Sequence, residues 1–126
     1  MESDPHGKTA HEHGSKLDKG KSQVVRYVLR YFPNALEAVA RVSEYGATKY
    51  TEMGWRSVPD GYVRYSEALG RHLLADPNEL DESGLDHDAQ IAWNALARLE
   101  IKLDDNKGSS INGFGAILNG SDGLSM

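Results

Sequence analysis

Three carboxylates, four cations and two histidines lie between helical stretches of this chain: Glu37, Glu44 and Glu67; Lys19, Lys21, Lys49 and Arg71; His72 and His87. Together they form the inventory that holds a nucleotide polyphosphate. Attack of water on a phosphate requires charge on the phosphate oxygens to be neutralised, the water to be aligned and the leaving group to be stabilised. Hard divalent cations do this best and take oxygen ligands from carboxylates on rigid elements, so Glu37, Glu44 and Glu67 are the candidate metal ligands. The competing reading of the same acids is pairing with Arg41 and Arg71 on solvated helix faces. Lys19-Gly20-Lys21 make a small cationic turn able to approach phosphate oxygens, and Lys49 and Arg71 add charge from the framework. That turn lacks the glycine spacing of a P-loop, and a merely solvated turn has the same composition. Arg71-His72 place two bulky polar groups in mid-helix, where they need partners: either a phosphate or the acidic loop just downstream. Asp81, Ser83, Gly84 and His87 form that supporting loop. Trp55 can stack on a base and Asn94 can read its edge; core packing and a backbone-satisfied buried amide are the plain alternatives.

Short helices must position these groups. Leu36, Val39, Ala40 and Ser43 recur at helical spacing, which predicts a helix from about Ala35 to about Tyr45 with Gly46 as its stop. Glu37, Arg41 and Glu44 fall on a neighbouring stripe. A loop or short helix with Gly54 and Pro59 leads to a second helix, Gly61 to Ala75, with Tyr62, Tyr65, Leu69, His72 and Leu73 on one face and Glu67 and Arg71 on another. A third helix opens at Asp86 or His87, and Ala92, Ala95, Leu96, Leu99 and Leu103 are its expected core face. Upstream, Val24 to Phe32 is an apolar stretch of ambiguous period ended by Pro33-Asn34. Residues 1–15 read as a polar leader, 16–105 as the folded domain and 106–126 as a Gly/Ser-rich tail. The fold class is all-α, a compact helical bundle whose core is thin for one chain, so a homo-oligomer, dimer or tetramer, is expected to complete it.

Composition narrows the partners. The 126 residues contain no cysteine, which excludes disulfides and thiolate metal sites. A net charge of −5 with 26% charged residues leaves no basic footprint for nucleic acid. No apolar run is long enough for a bilayer, and Met1-Glu2-Ser3-Asp4-Pro5-His6 lacks the apolar segment of a signal peptide, so the expectation is a cytoplasmic protein without a membrane partner.

Several ordered pieces resemble one family. They are Lys16-Leu17-Asp18-Lys19-Gly20-Lys21, Ala35-Leu36-Glu37-Ala38-Val39-Ala40-Arg41-Val42, Tyr45-Gly46-Ala47, Lys49-Tyr50 and Trp55, followed by Arg71-His72-Leu73-Leu74, Asp81-Glu82-Ser83-Gly84-Leu85, His87 and Ala92-Trp93-Asn94-Ala95-Leu96. The set is similar to the phage dATP/dGTP diphosphohydrolases (MazZ-like), a compact branch of the MazG-like all-α nucleoside triphosphate pyrophosphohydrolases. That resemblance implies Mg²⁺- or Mn²⁺-dependent hydrolysis of a purine deoxynucleoside triphosphate to the monophosphate and pyrophosphate, in the host cytoplasm if the chain is phage-encoded. It also implies supply of dGMP where a phage builds 2-aminoadenine DNA. Glu37, Glu67, Arg71 and His72 are then the residues expected to carry catalysis. The chain departs from the pattern at Asp86, where an apolar residue or proline is expected, and in the turn after Trp55.

Two rival readings stay open on the residues alone. His72 with His87-Asp88 is similar to the histidine and His-Asp dyad of HD-domain phosphohydrolases, which release intact triphosphate, although the further upstream histidines here sit in the leader. The other rival is a non-catalytic nucleotide-binding protein.

Overall fold

The computed structural model describes residues 5–112, with side chains as far as 107. The chain divides into two units, residues 1–33 and 34–126. Among the described residues every regular element is helical, and an isolated antiparallel bridge joins Leu80 to Asp86. The all-α expectation holds.

The first unit is built from turns and a short π-helical segment, Val25–Leu29. Its ambiguous apolar stretch therefore has neither the 3.6 nor the 2.0 period, because the Arg30 N–H reaches back to the Val25 carbonyl at 3.0 Å, one residue beyond an α-helical bond. Tyr27, Tyr31 and Phe32 stack edge to face, with centroids 5.8 and 6.0 Å apart, and all three are exposed. The Asp18-Lys19-Gly20-Lys21 segment closes as a turn, the Lys21 N–H donating to the Asp18 carbonyl at 3.1 Å. Together with Pro5, Ser22 and Gln23 it lines an open hollow of about 320 Å³.

Three α-helices make the second unit: α1 (Pro33–Lys49), α2 (Gly61–Leu74) and α3 (His87–Asn112). Pro33 at the first position suits a helix start, since its missing N–H would be unsatisfied there in any case. The expected stop at Gly46 does not occur. α1 continues to Lys49, and Thr48 ties its hydroxyl to the Tyr45 carbonyl at 2.8 Å, so the stop signal is overridden by one further turn. α3 likewise runs past Asp104-Asp105-Asn106 to Asn112; the part of the expected tail beyond it lies outside the described residues.

α2 packs along α3, and a short 3-10 turn, Gly54–Ser57, touches both. At Gly61 a Cβ would stand 3.1 Å from the end of the Ile101 side chain, so a larger residue there requires that side chain to give way. Arg56 braces the turn against α3 through Glu100 at 3.5 Å and through Asp104. Arg98 lies over the Tyr62 ring at 4.6 Å and donates to its hydroxyl at 2.8 Å.

The core is small, and the apolar face expected of α3 is the wrong one. Among the described residues Val42, Ala89 and Ala97 are the buried apolar ones, and no large side chain is fully buried. Leu96, Leu99 and Leu103 are 45–49% exposed, whereas Ala89, Trp93, Asn94, Ala97 and Ile101 turn inward. The reason is that α3 carries two stripes, a small-residue stripe that lets α2 approach and a leucine stripe on the outside. On α2, Tyr62, Tyr65, Leu69 and His72 face inward as expected, but Leu73 is exposed.

Candidate functional site

The chemistry-bearing residues concentrate where α2 ends and α3 begins. His72, in the last turn of α2, and His87, the first residue of α3, face each other with their Nδ1 atoms 2.8 Å apart. One Nδ1 carries the proton and donates; the other accepts. Burial pushes the His72 pKa below 6.5 and His87 pushes it the same way, against the opposing pull of Asp81 and Glu82.

Asp81 organises the intervening loop. Its Oδ1 accepts the Ser83 N–H at 2.8 Å, the Leu85 N–H at 3.1 Å and the Ser83 hydroxyl, while Oδ2 accepts the Gln90 side chain at 2.8 Å. Burial alone would raise its pKa, but the hydrogen bonds from Ser83, Leu85 and Gln90 prevail and hold the carboxyl below 3.8. The turn needs Gly84 at φ +81°, left-handed backbone that other residues rarely adopt. Asp86 then caps α3, accepting the Asp88 N–H at 2.7 Å. The loop is therefore locked by Asp81 onto its own backbone and Gln90, while Arg71 stays exposed on the surface of α2. Gln90 escaped the sequence reading, although it lies one turn from His87 on the same face.

The aromatic residues form a closed group. Trp55, Tyr65 and Trp93 meet edge to face, with centroids 6.4, 5.7 and 5.5 Å apart. The Tyr65 hydroxyl donates to the Trp55 carbonyl at 2.8 Å, and burial raises the Tyr65 pKa. Trp93 Nε1 donates to the Ser43 hydroxyl at 2.8 Å, joining α3 to α1. Trp55 thus shares its rings with its neighbours and is mostly buried. Asn94 is corrected as a base reader: it is 4% exposed and its amide donates to the Gln90 carbonyl at 2.8 Å, so it serves the helix.

The three candidate metal ligands are exposed, Glu37 and Glu44 on α1 and Glu67 on α2. Glu37 pairs with Arg41 at 3.5 Å. Among the described residues no three His, Asp or Glu side chains come together to hold a metal ion, so the expected convergence into one cluster is not present in a single chain. Helix direction accounts for it: the acids of α1 point along its solvent stripe and Glu67 lies on the side of α2 away from its packed face. Such carboxylates suit an ion that takes one or two protein oxygens and completes its shell with phosphates and water, the usual manner of Mg²⁺. Lys49 is exposed beside Tyr45 and Tyr50; the Tyr50 hydroxyl, chiefly through a hydrogen bond, raises its pKa and keeps it cationic. Lys19 and Lys21 belong to the first unit, at its open hollow.

An all-α body with carboxylates and cations on its exposed helix faces and a histidine-bearing loop at a helix junction fits the class of helical nucleotide hydrolases. The chain belongs to the dATP/dGTP diphosphohydrolase family: the model of that family's N-terminal region matches residues 11–110. It is accordingly an enzyme of that class. No curated protein and no solved structure matches it. No helix among the described residues is long and apolar enough to cross a membrane.

Proposed function

We propose that this protein hydrolyses dGTP and dATP between the α and β phosphates, releasing the monophosphate and pyrophosphate, with Mg²⁺ or Mn²⁺ as its cofactor. The observation that carries the reading is the family match, which runs from the leader through α3 and includes every residue assigned a role above. Glu37, Glu44 and Glu67 would hold the ion, one or two at a time. When bound, it supplies positive charge to the phosphate oxygens. Lys49 and Arg71 supply cations for the triphosphate from the second unit. Trp55 would offer what remains accessible of its ring as the stacking surface for the purine. The leucine stripe of α3 supports assembly into a homo-oligomer, and in a phage with 2-aminoadenine DNA the product dGMP would feed that synthesis.

The test is product analysis by anion exchange after incubating each dNTP with the protein and Mg²⁺ or Mn²⁺. Monophosphate and pyrophosphate from dGTP or dATP are expected; intact triphosphate as a product would instead establish HD-type chemistry, and survival of every nucleotide would remove the enzymatic reading for this chain. Glu37→Gln and Glu67→Gln should each abolish turnover with helical content unchanged, because only charge toward the ion is lost. Wild-type rates in both variants would overturn the ligand assignment.

A further inference from the structure

The His72–His87 contact joins the last turn of α2 directly to the first residue of α3, across the 75–86 loop. The two rings lie 5.0 Å apart and tilted by 48°, so the contact is made through the facing Nδ1 atoms and not by stacking. Two imidazoles that meet in this way can hold one proton between them but not two. With both rings neutral, one N–H donates to one lone pair. A first added proton converts this into a charge-assisted bond. A second fills the remaining lone pair, and two N–H groups on two cations then confront each other.

We propose that the His72–His87 pair is a proton-operated latch, closed at neutral pH and opened by acidification, that fastens the C-terminal end of α2 to the N-terminal end of α3. Burial sets its direction, and the surrounding charges divide. Asp81 and Glu82 in the loop favour protonation, Arg71 on α2 opposes it, and Asp86 and Asp88 flank His87 at the start of α3. His72 is depressed in pKa in the closed state, chiefly by burial, so its neutral form is the one the fold prefers. A folded-state pKa below the unfolded one gives stability that is present above the unfolded value and lost as pH falls through the folded one, so the neutral pair gives way below pH 6.5 and the latch opens when the second proton is added. The Asp81 knot does not open with it, because its carboxylate stays ionised in that range and keeps Ser83, Leu85 and Gln90 in place. Acidification therefore releases α2 from the junction and leaves the loop attached to α3.

Hydrogen exchange of the intact protein tests this, with rates corrected for the intrinsic effect of pH. From about pH 7.5 to about pH 5, amides in the last turn of α2 should lose about tenfold in protection, while the Ser83 and Leu85 amides keep theirs. His72→Gln and His87→Gln should each remove that pH dependence, and the double variant should add nothing further. Protection that does not change with pH in the wild type, or an equal drop in all variants, overturns the proposal. A second readout in the wild type is independent of how the variants fold: long-range nitrogen-proton spectra of the two imidazoles should show coupled two-step protonation, and two independent titrations would refute the latch.

Discussion

Asp81 spends one carboxylate oxygen on the loop that follows it and the other on Gln90 of α3, and each bond it accepts favours the ionised form. Its pKa is lowered, so its contribution to stability is complete above 3.8 and is lost as pH falls through the still lower folded value. Asp81→Asn keeps the shape but donates where the backbone N–H groups also donate. The expected cost is about 1–2 kcal/mol at neutral pH, shrinking in acid, as read from urea unfolding at several pH values. This part of the site was legible in the sequence as a choice between two roles for an acidic loop beside Arg71-His72. The partner was not, because Arg71 and Gln90 both lie within reach by residue count and only the crossing of α2 and α3 selects Gln90.

The two glycines of α2 differ in what surrounds them. Gly61 sits against Ile101, whereas a Cβ at Gly70 would meet nothing within 4 Å. Gly70→Ala should therefore stabilise α2 by about 0.5–1 kcal/mol through helix propensity. Gly61→Val should cost about 1–3 kcal/mol by forcing the helices apart. Thermal denaturation of both variants checks the opposite signs. Helix existence was readable from periodicity, and α2 was placed to within a residue. Ends were less readable where a stop signal met favourable local bonding: Gly46 lies inside α1 because Thr48 continues the hydrogen-bonded turn beyond it. The face of α3 was misread because leucines outweigh alanines in any hydrophobic count, while close helix packing selects the small residues.

For the molecule as a whole, the consequence is an outward leucine stripe. Leu96, Leu99 and Leu103 are spaced three and four residues apart, the seam along which helices pair. Apolar groups gathered on an exposed face are characteristic of a contact surface. If the chain assembles through this stripe as proposed, Leu99→Glu should give a monomer in light scattering coupled to size exclusion, without loss of helical circular dichroism. An unchanged mass would place the assembly elsewhere or remove it. Core size alone leads to the expectation of an oligomer, whereas the outward position of these leucines is not legible in the sequence, where they read as interior.

The chain's two tryptophans are not scattered; they touch each other at 5.7 Å, and one of them grips Ser43 on α1. Nature has thereby placed all of the indole emission at the joint between α1 and α3. Unlabelled protein can report optically on that joint, since loosening of α1 would shift the emission maximum and a stacked purine would quench it.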